Sequence, residues 1–355
     1  MRRKLLLLTL ISFTVGIGSC ETDFSLNGDY QIQPVVFGLL DHTQDVHMIK
    51  ITKAFLGDGD NLVYAQNPDS NYFQQVDATV VEYKNDEETG RSWVLQDTIV
   101  TNKSTDGIFY APDQKVYYFT EPALDSTAEY EITIDINGGE HIVTGRTALI
   151  DKFKLSGTVL NPQFKIQWAP NTVDTDDDYY AWNFTVVEGQ HAARYNYQYT
   201  INWRETYEDS TTANFSATRD NGDVFQTFSP DNPSVHEPVF QGLDFYLFVA
   251  TVVQPDPDVV KREFLGLDLK VSVAHEDLNT YMEVSEPVTG IAQVQQEFTN
   301  LTGARGLFSS RVVFEKKNFQ LNAASIKELC NGQHTGGLGF CSNLPEHTSE
   351  WWSCN

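Results

Sequence analysis

From Pro34 onward, apolar and polar residues alternate in short runs separated by clusters of Gly, Pro, Asn and Asp, the period-two pattern of half-buried strands. The run Val35-Val36-Phe37-Gly38-Leu39-Leu40 is closed by Asp41-His42-Thr43-Gln44-Asp45, and the alternation starting at Val46 predicts a strand that pairs back on it. Further strands are predicted at 78–83, 93–100, 116–120, 130–136 and 141–147, the last two joined by Asn137-Gly138-Gly139, residues that suit a tight hairpin. In the second half, runs at 153–159 and 164–168 are broken by Ala169-Pro170 and Asp174-Thr175-Asp176-Asp177-Asp178 before 179–187 resumes. Tyr195, Tyr197, Tyr199, Ile201 and Trp203 alternate cleanly along 195–204. A strongly apolar strand is expected at 246–253, a further strand at 264–273, and a short helix behind Asp277 as N-cap. The run 307–314 reads as the last core strand, and the remainder as a polar, cysteine-bearing tail with a helical stretch at 323–329.

About seven short strands between turn signals are the pattern of an immunoglobulin-like sandwich. The expectation is therefore an all-β chain: a sandwich over 34–148, a second β-rich domain over 149–316 with a short helix, and a tail over 317–355. The strand, Pro-containing loop and aromatic strand that open the second domain resemble the start of a fibronectin type III module.

The first residues carry a different pattern. Arg2, Arg3 and Lys4 precede an apolar run from Leu5 to Gly18, a secretory signal over 1–19 rather than a membrane span. It ends in Ile17-Gly18-Ser19-Cys20, which resembles the bacterial lipobox. On that resemblance Cys20 carries the covalent acyl chains, such as palmitate, that anchor the mature protein, with 20–33 as anchor and leader. Each buried methylene contributes about 0.8 kcal/mol, and more than one chain gives stable attachment. Glu21-Thr22-Asp23 resembles the surface-export signal of Bacteroidetes lipoproteins, which implies the outer membrane and its extracellular face.

Charge narrows the partners. With 49 acidic and 24 basic residues the chain has a formal net charge of -25, and it has no overall field for nucleic acid or anionic lipid. The acids offer oxygen ligands: Asp174, Asp176, Asp177 and Asp178 lie close enough in sequence to share a Ca²⁺, and Asp58, Asp60 and Asn61 resemble the start of a calcium loop. In both places a solvated turn is the competing reading. No other cofactor is expected.

Besides Cys20 the cysteines are Cys330, Cys341 and Cys354, and an oxidising compartment favours a bridge, with Cys330 to Cys341 expected around Gly336-Gly337. A zinc set of these three with His334 and His347 competes with it. Trp351 and Trp352 are apolar residues at a chain end that could dock on a partner or on the body. Asp97-Thr98-Ile99, Asp125-Ser126-Thr127 and Asp209-Ser210-Thr211 match the short O-glycosylation pattern of Bacteroidetes exported proteins.

For catalysis the sequence holds no Gly-x-Ser-x-Gly elbow, no His-Glu-x-x-His, no phosphate loop and no dinucleotide glycine pattern. Abundant acids make any chosen carboxylate pair for glycoside hydrolysis uninformative.

Cys20-Glu21-Thr22-Asp23-Phe24, Pro34-Val35-Val36-Phe37-Gly38-Leu39-Leu40 and Ile49-Lys50-Ile51-Thr52-Lys53-Ala54-Phe55-Leu56-Gly57 resemble the opening of a family of Bacteroidetes outer-membrane lipoproteins. Leu278-x-x-Tyr281-Met282 and Gly306-Leu307-Phe308-Ser309-Ser310 resemble its C-terminal region. Such families are often encoded near TonB-dependent transporters. The resemblance implies a non-catalytic accessory subunit on an integral β-barrel, a transporter or an assembly barrel, together with other lipoproteins. The alternative is a surface glycan-binding protein stacking sugars on Tyr197, Tyr199 or Trp203.

Overall fold

The computed structural model describes residues 32–54, 68–101, 113–226, 234–286 and 297–354. Cys20, the Glu21-Thr22-Asp23 stretch and the Asp58-Asp60-Asn61 turn lie outside them.

The chain is mostly β-sheet, with the alternating runs of its first part folded into a two-layer sandwich. Gln33–Leu40 (β1) and Val46–Ala54 (β2) form the expected hairpin, followed by a one-turn helix at Pro68–Asn71 (α1). Next come Val76–Lys84 (β3), Glu87–Val94 (β4), Gln96–Val100 (β5), Gln114–Thr120 (β6), Glu129–Ile136 (β7) and His141–Ala148 (β8). One layer runs β1-β2-β6-β5 and the other β8-β7-β3-β4. Val36, Leu40, Ile49 and Ile51 from the first meet Val80, Ile132, Ile134 and Val143 from the second, all at most 1% exposed. Each such side chain contributes about 1.5–3 kcal/mol on burial. The single strand expected over 93–100 is two. Leu95 is buried between the layers and its amide donates to Ala78, so the chain leaves one sheet as β4 and enters the other as β5.

The second lobe is built on three long strands. Ala192–Tyr207 (β13) pairs with Thr212–Phe225 (β14) on one side and Val259–His275 (β17) on the other. Lys154–Ser156 (β9), Lys165–Ile166 (β10), Ala181–Asn183 (β11), Thr185–Val187 (β12), Val235–His236 (β15) and Val239–Gln241 (β16) are short pieces laid over this sheet. The aromatic face of β13 is core: Tyr195, Tyr197, Tyr199 and Trp203 are 0–6% exposed and pack with Trp168, Phe240 and Phe245. A sugar cannot stack on rings so enclosed, which removes Tyr197, Tyr199 and Trp203 as a glycan platform.

Residues 246–253 are not the expected strand but part of a helix, Gly242–Val252 (α2). Its buried residues Gly242, Phe245, Tyr246 and Val249 recur at helical spacing, and the apolar residues between them hide that period. The second expected helix is Glu276–Ser285 (α3), capped by His275 rather than Asp277.

Leu301–Thr302 (β18) adds to β8, and Arg305–Leu321 (β19) joins the lobes. Its first half pairs in parallel with β1, from Val35↔Arg305 to Leu40↔Ser310. Its second half pairs antiparallel with β17, from Ala274↔Arg311 to Leu267↔Phe319. The division expected at 148/149 is therefore incomplete, since the first lobe takes two strands from beyond residue 300.

The expected polar tail is also core. In Ala323–Asn331 (α4) the residues Ile326, Leu329 and Cys330 form an inward stripe, and Leu338, Phe340 and Trp352 pack beside it. Phe340–Cys341 (β20) then pairs with β17. That stripe overturns the Cys330–Cys341 bridge. Cys330 points into the core as a free thiol, pushed by burial up to about 12, and Cys341 pairs with Cys354 at a Cα separation of 5.0 Å. Reducing this bridge is expected to lower unfolding stability by about 3 kcal/mol, the loop-closure value for a ring of this size. Urea titration with and without reductant measures it, and Cys354→Ser should mimic the reduced protein.

Candidate functional site

Where β1 ends, a groove opens. β1 pairs with β19 as far as Ser310 and β10 resumes at Gln320, so the edge of β19 opposite β17 has no strand beside it between them among the described residues. Strand geometry sends alternate main-chain groups to opposite edges. Both main-chain groups of Phe308 bond Asn300 on one side, and the Val313 amide donates to Asp41 Oδ2 (3.2 Å) on the other. Val313, Glu315 and Lys317 therefore aim their main chain at the open edge. Asp41, 4% exposed, closes the top of the gap and holds its own turn by accepting from the Thr43 amide and hydroxyl. Lys316 closes the bottom through the Val159 and Asn161 carbonyls.

The cavity along this edge has a volume of about 1250 Å³ and is lined by both lobes. One wall is apolar: Phe37, Leu39, Val46 and Met48 from the β1-β2 hairpin, with Leu278, Tyr281 and Met282 from α3. Phe37 meets Tyr281 edge-on at 5.6 Å, yet remains 37% exposed, while Met48 is 52% and Val46 44% exposed. The opposite wall is Phe153, Leu155 and Leu160. Lys152, Lys270 and Arg311 add three cations against the two carboxylates of Asp41 and Glu315. Among the described residues Lys152 and Arg311 form no salt bridge, and Lys152 is held at φ 60, a strained backbone for a non-glycine residue. A net-positive apolar groove stands out on a chain with twice as many acids as bases.

A smaller cleft of about 240 Å³ lies between the lobes, lined by Glu129, Arg146, His191, His275, Glu276 and Asp277. His275 Nδ1 accepts from the Asp277 amide (3.1 Å) and caps α3, and its ring lies 5.9 Å from His191. Burial holds the His275 pKa down to about 4, with the Asp277 carboxylate opposing and His191 reinforcing the shift. The folded protein thus refuses a proton that the unfolded chain accepts near pH 6.5. Stability should fall as pH drops from about 6.5 to 4, by about 2–3 kcal/mol for this group. Denaturant titrations at several pH values measure it, and His275→Asn should flatten the dependence.

One buried constellation resembles a relay. Glu188 Oε1 accepts from His236 Nδ1 (2.9 Å), His236 Nε2 accepts from the Tyr197 hydroxyl (2.5 Å), and Ser234 donates to Glu188. Burial pushes the Tyr197 hydroxyl pKa up, which makes it a poor nucleophile. The set borders neither the groove nor the smaller cleft, and its geometry ties β12, β13 and β15 together.

The other sequence candidates are engaged locally. Asp178 caps the turn Asp176–Asp178 by accepting from the Asp174 and Thr175 amides, and Asp176 bonds His334 (2.9 Å) and Gln333. Among the described residues no three metal-ligating side chains converge, and the four aspartates form no shared cage. His347 bonds Ser342 and lies against Trp352, so the zinc set is dispersed as well. The two terminal tryptophans separate: Trp352 is 4% exposed in the core, and Trp351 is 76% exposed. Asp125 and Asp209 each accept from the amide and hydroxyl of the threonine two residues on, so both Asp-Ser-Thr triplets are Asx turns. Lys84 and Thr127 together hold the Asp125 carboxyl at about 2. Sequence reasoning missed the groove because its residues come from five separate stretches, and the one visible signal was the outward apolar set of the β1-β2 hairpin.

No family model matches the sequence, and a comparison with curated proteins finds no match. Among solved structures the chain is similar to the C-terminal globular domain of an oligosaccharyltransferase from Pyrococcus abyssi, at 10% identity and a TM-score of 0.25. That match covers 67% of this chain and 45% of the other, so the chain spans less than half of that structure's length.

Proposed function

We propose that this chain is a lipid-anchored, non-catalytic accessory subunit of an integral β-barrel complex of the outer membrane, facing outward and serving transport or outer-membrane protein assembly. The observation that carries the docking role is the interlobe groove, with half-exposed Phe37, Val46 and Met48 beside Lys152 and Arg311 on an otherwise acidic chain. Exposed apolar area rimmed by charge marks interaction surfaces. The lipobox-like Ile17-Gly18-Ser19-Cys20 supports the membrane half, and the resemblance to lipoproteins encoded near TonB-dependent transporters supports the choice of a barrel.

The test is a mild-detergent pulldown from native outer membranes through a C-terminal tag, with mass spectrometry of what co-purifies. The expected result is a stoichiometric β-barrel that is lost with Met48→Asp and retained with Cys330→Ala. A monomeric protein with no barrel in either preparation would sink the reading.

A further inference from the structure

We infer that the groove receives an extended, acidic segment of the partner as an added β-strand along the open edge of β19. The inference rests on the docking reading above and specifies how the partner binds.

Three observations converge on it. First, the sheet has a gap of one strand's width: β1 and β10 both lie beside β19 in parallel, and nothing fills the line between Ser310 and Gln320 among the described strands. On that edge the Val313 amide is met by a side chain, and strand alternation turns the Val313 carbonyl and both main-chain groups of Glu315 to the same gap, away from β17. Unpaired main-chain groups on a sheet edge are a template for another strand, and main-chain hydrogen bonds supply affinity in such complexes. Second, the cavity along the gap touches both faces of the sheet. Register places Arg311, Val313, Glu315 and Lys270 on one face and Val312 and Phe314 on the other, beside Phe153 and Leu155. An added strand would therefore send alternate side chains to a basic shelf and to an apolar wall. Third, the charges select its chemistry. Lys152, Lys270 and Arg311 outnumber Asp41 and Glu315 there, and Asp41 is turned to the Thr43 and Val313 donors at the top of the gap, so the shelf fits Asp or Glu at every second position of the incoming segment.

The edge geometry also provides a clean variant. Because the Glu315 amide faces the gap and not β17, Glu315→Pro removes one edge donor and leaves the β17 ladder intact, an outward-facing edge position being one where proline is tolerated. Glu315→Gln removes only the charge.

The test uses the purified full chain and labelled synthetic peptides that alternate Val with Asp, Val with Lys or Val with Ser, read by fluorescence anisotropy, with amide exchange followed at Glu315. The Val/Asp peptide should bind at least tenfold more tightly than the other two and protect the Glu315 amide. Glu315→Pro should weaken binding at least tenfold and Glu315→Gln should not. Arg311→Glu, an exposed change that spares the fold, should reverse the preference towards the Val/Lys peptide. Equal binding of all three peptides, binding without protection of Glu315, or no binding by any of them overturns strand addition. If Glu315→Pro still captures the barrel from membranes while Met48→Asp does not, the docking reading stands and strand addition alone fails.

Discussion

Replacing Arg262 by methionine is expected to destabilise the protein by about 3–5 kcal/mol, the cost of leaving one member of a buried ion pair alone. Arg262 is 3% exposed, and its Nε donates to Glu205 Oε1 at 2.8 Å. Its remaining nitrogens donate to the Leu338 carbonyl and, at 3.0 Å, to the Gln254 carbonyl. One guanidinium thus joins the end of β13, the loop after α2 and the segment that closes the lobe. Trp203 and Tyr207 also donate to Glu205, so its carboxylate would keep hydrogen bonds but lose its counter-charge. Hydrogen bonding and charge from Arg262 outweigh desolvation and hold the Glu205 pKa below its usual value. The double variant Glu205→Gln with Arg262→Met should recover part of the loss, because no uncompensated charge is then buried. Urea unfolding of the two variants measures both numbers, and a single variant as stable as the wild type would show that the pair contributes nothing.

Gly306→Ala is expected to cost at least about 3 kcal/mol, the upper end for a side chain forced into a glycine-only backbone region. Gly306 has φ +104, and an added Cβ would fall on the Val36 carbonyl oxygen. Val36↔Gly306 is a register pair of the β1-β19 ladder, so the substitution strikes the seam between the lobes rather than one lobe. Its expected signature is selective: faster amide exchange along β1 and the start of β19, with the β13-β17 ladder still protected. Uniform loss of protection would mean that the seam and the second lobe unfold together.

Much of the sandwich was legible because its strands obey the alternation that burial on one face demands, as at Tyr130, Ile132 and Ile134. The aromatic alternation of β13 was legible for the same reason, and its burial decided between core and platform. Three features were not. The helix α2 is apolar on nearly every side, so periodicity could not separate it from a buried strand. The partner of Cys341 depended on which way α4 turned Cys330, a fact of helix phase and not of loop length. The groove depended on where β1 stops beside β19, a long-range pairing that no local pattern encodes.

The shared strand β19 also fixes an order of events. The first lobe cannot close until residues 301–310 arrive, after the whole of the second lobe except its closing segment has been made. A nascent chain emerging from its N-terminus would carry an unfinished sandwich, with β1 and β8 each lacking a neighbour, for most of its synthesis. Such late pairing between distant segments slows folding. The consequence is a first lobe that stays open, with two unsatisfied sheet edges, until the last sixth of the chain has been made.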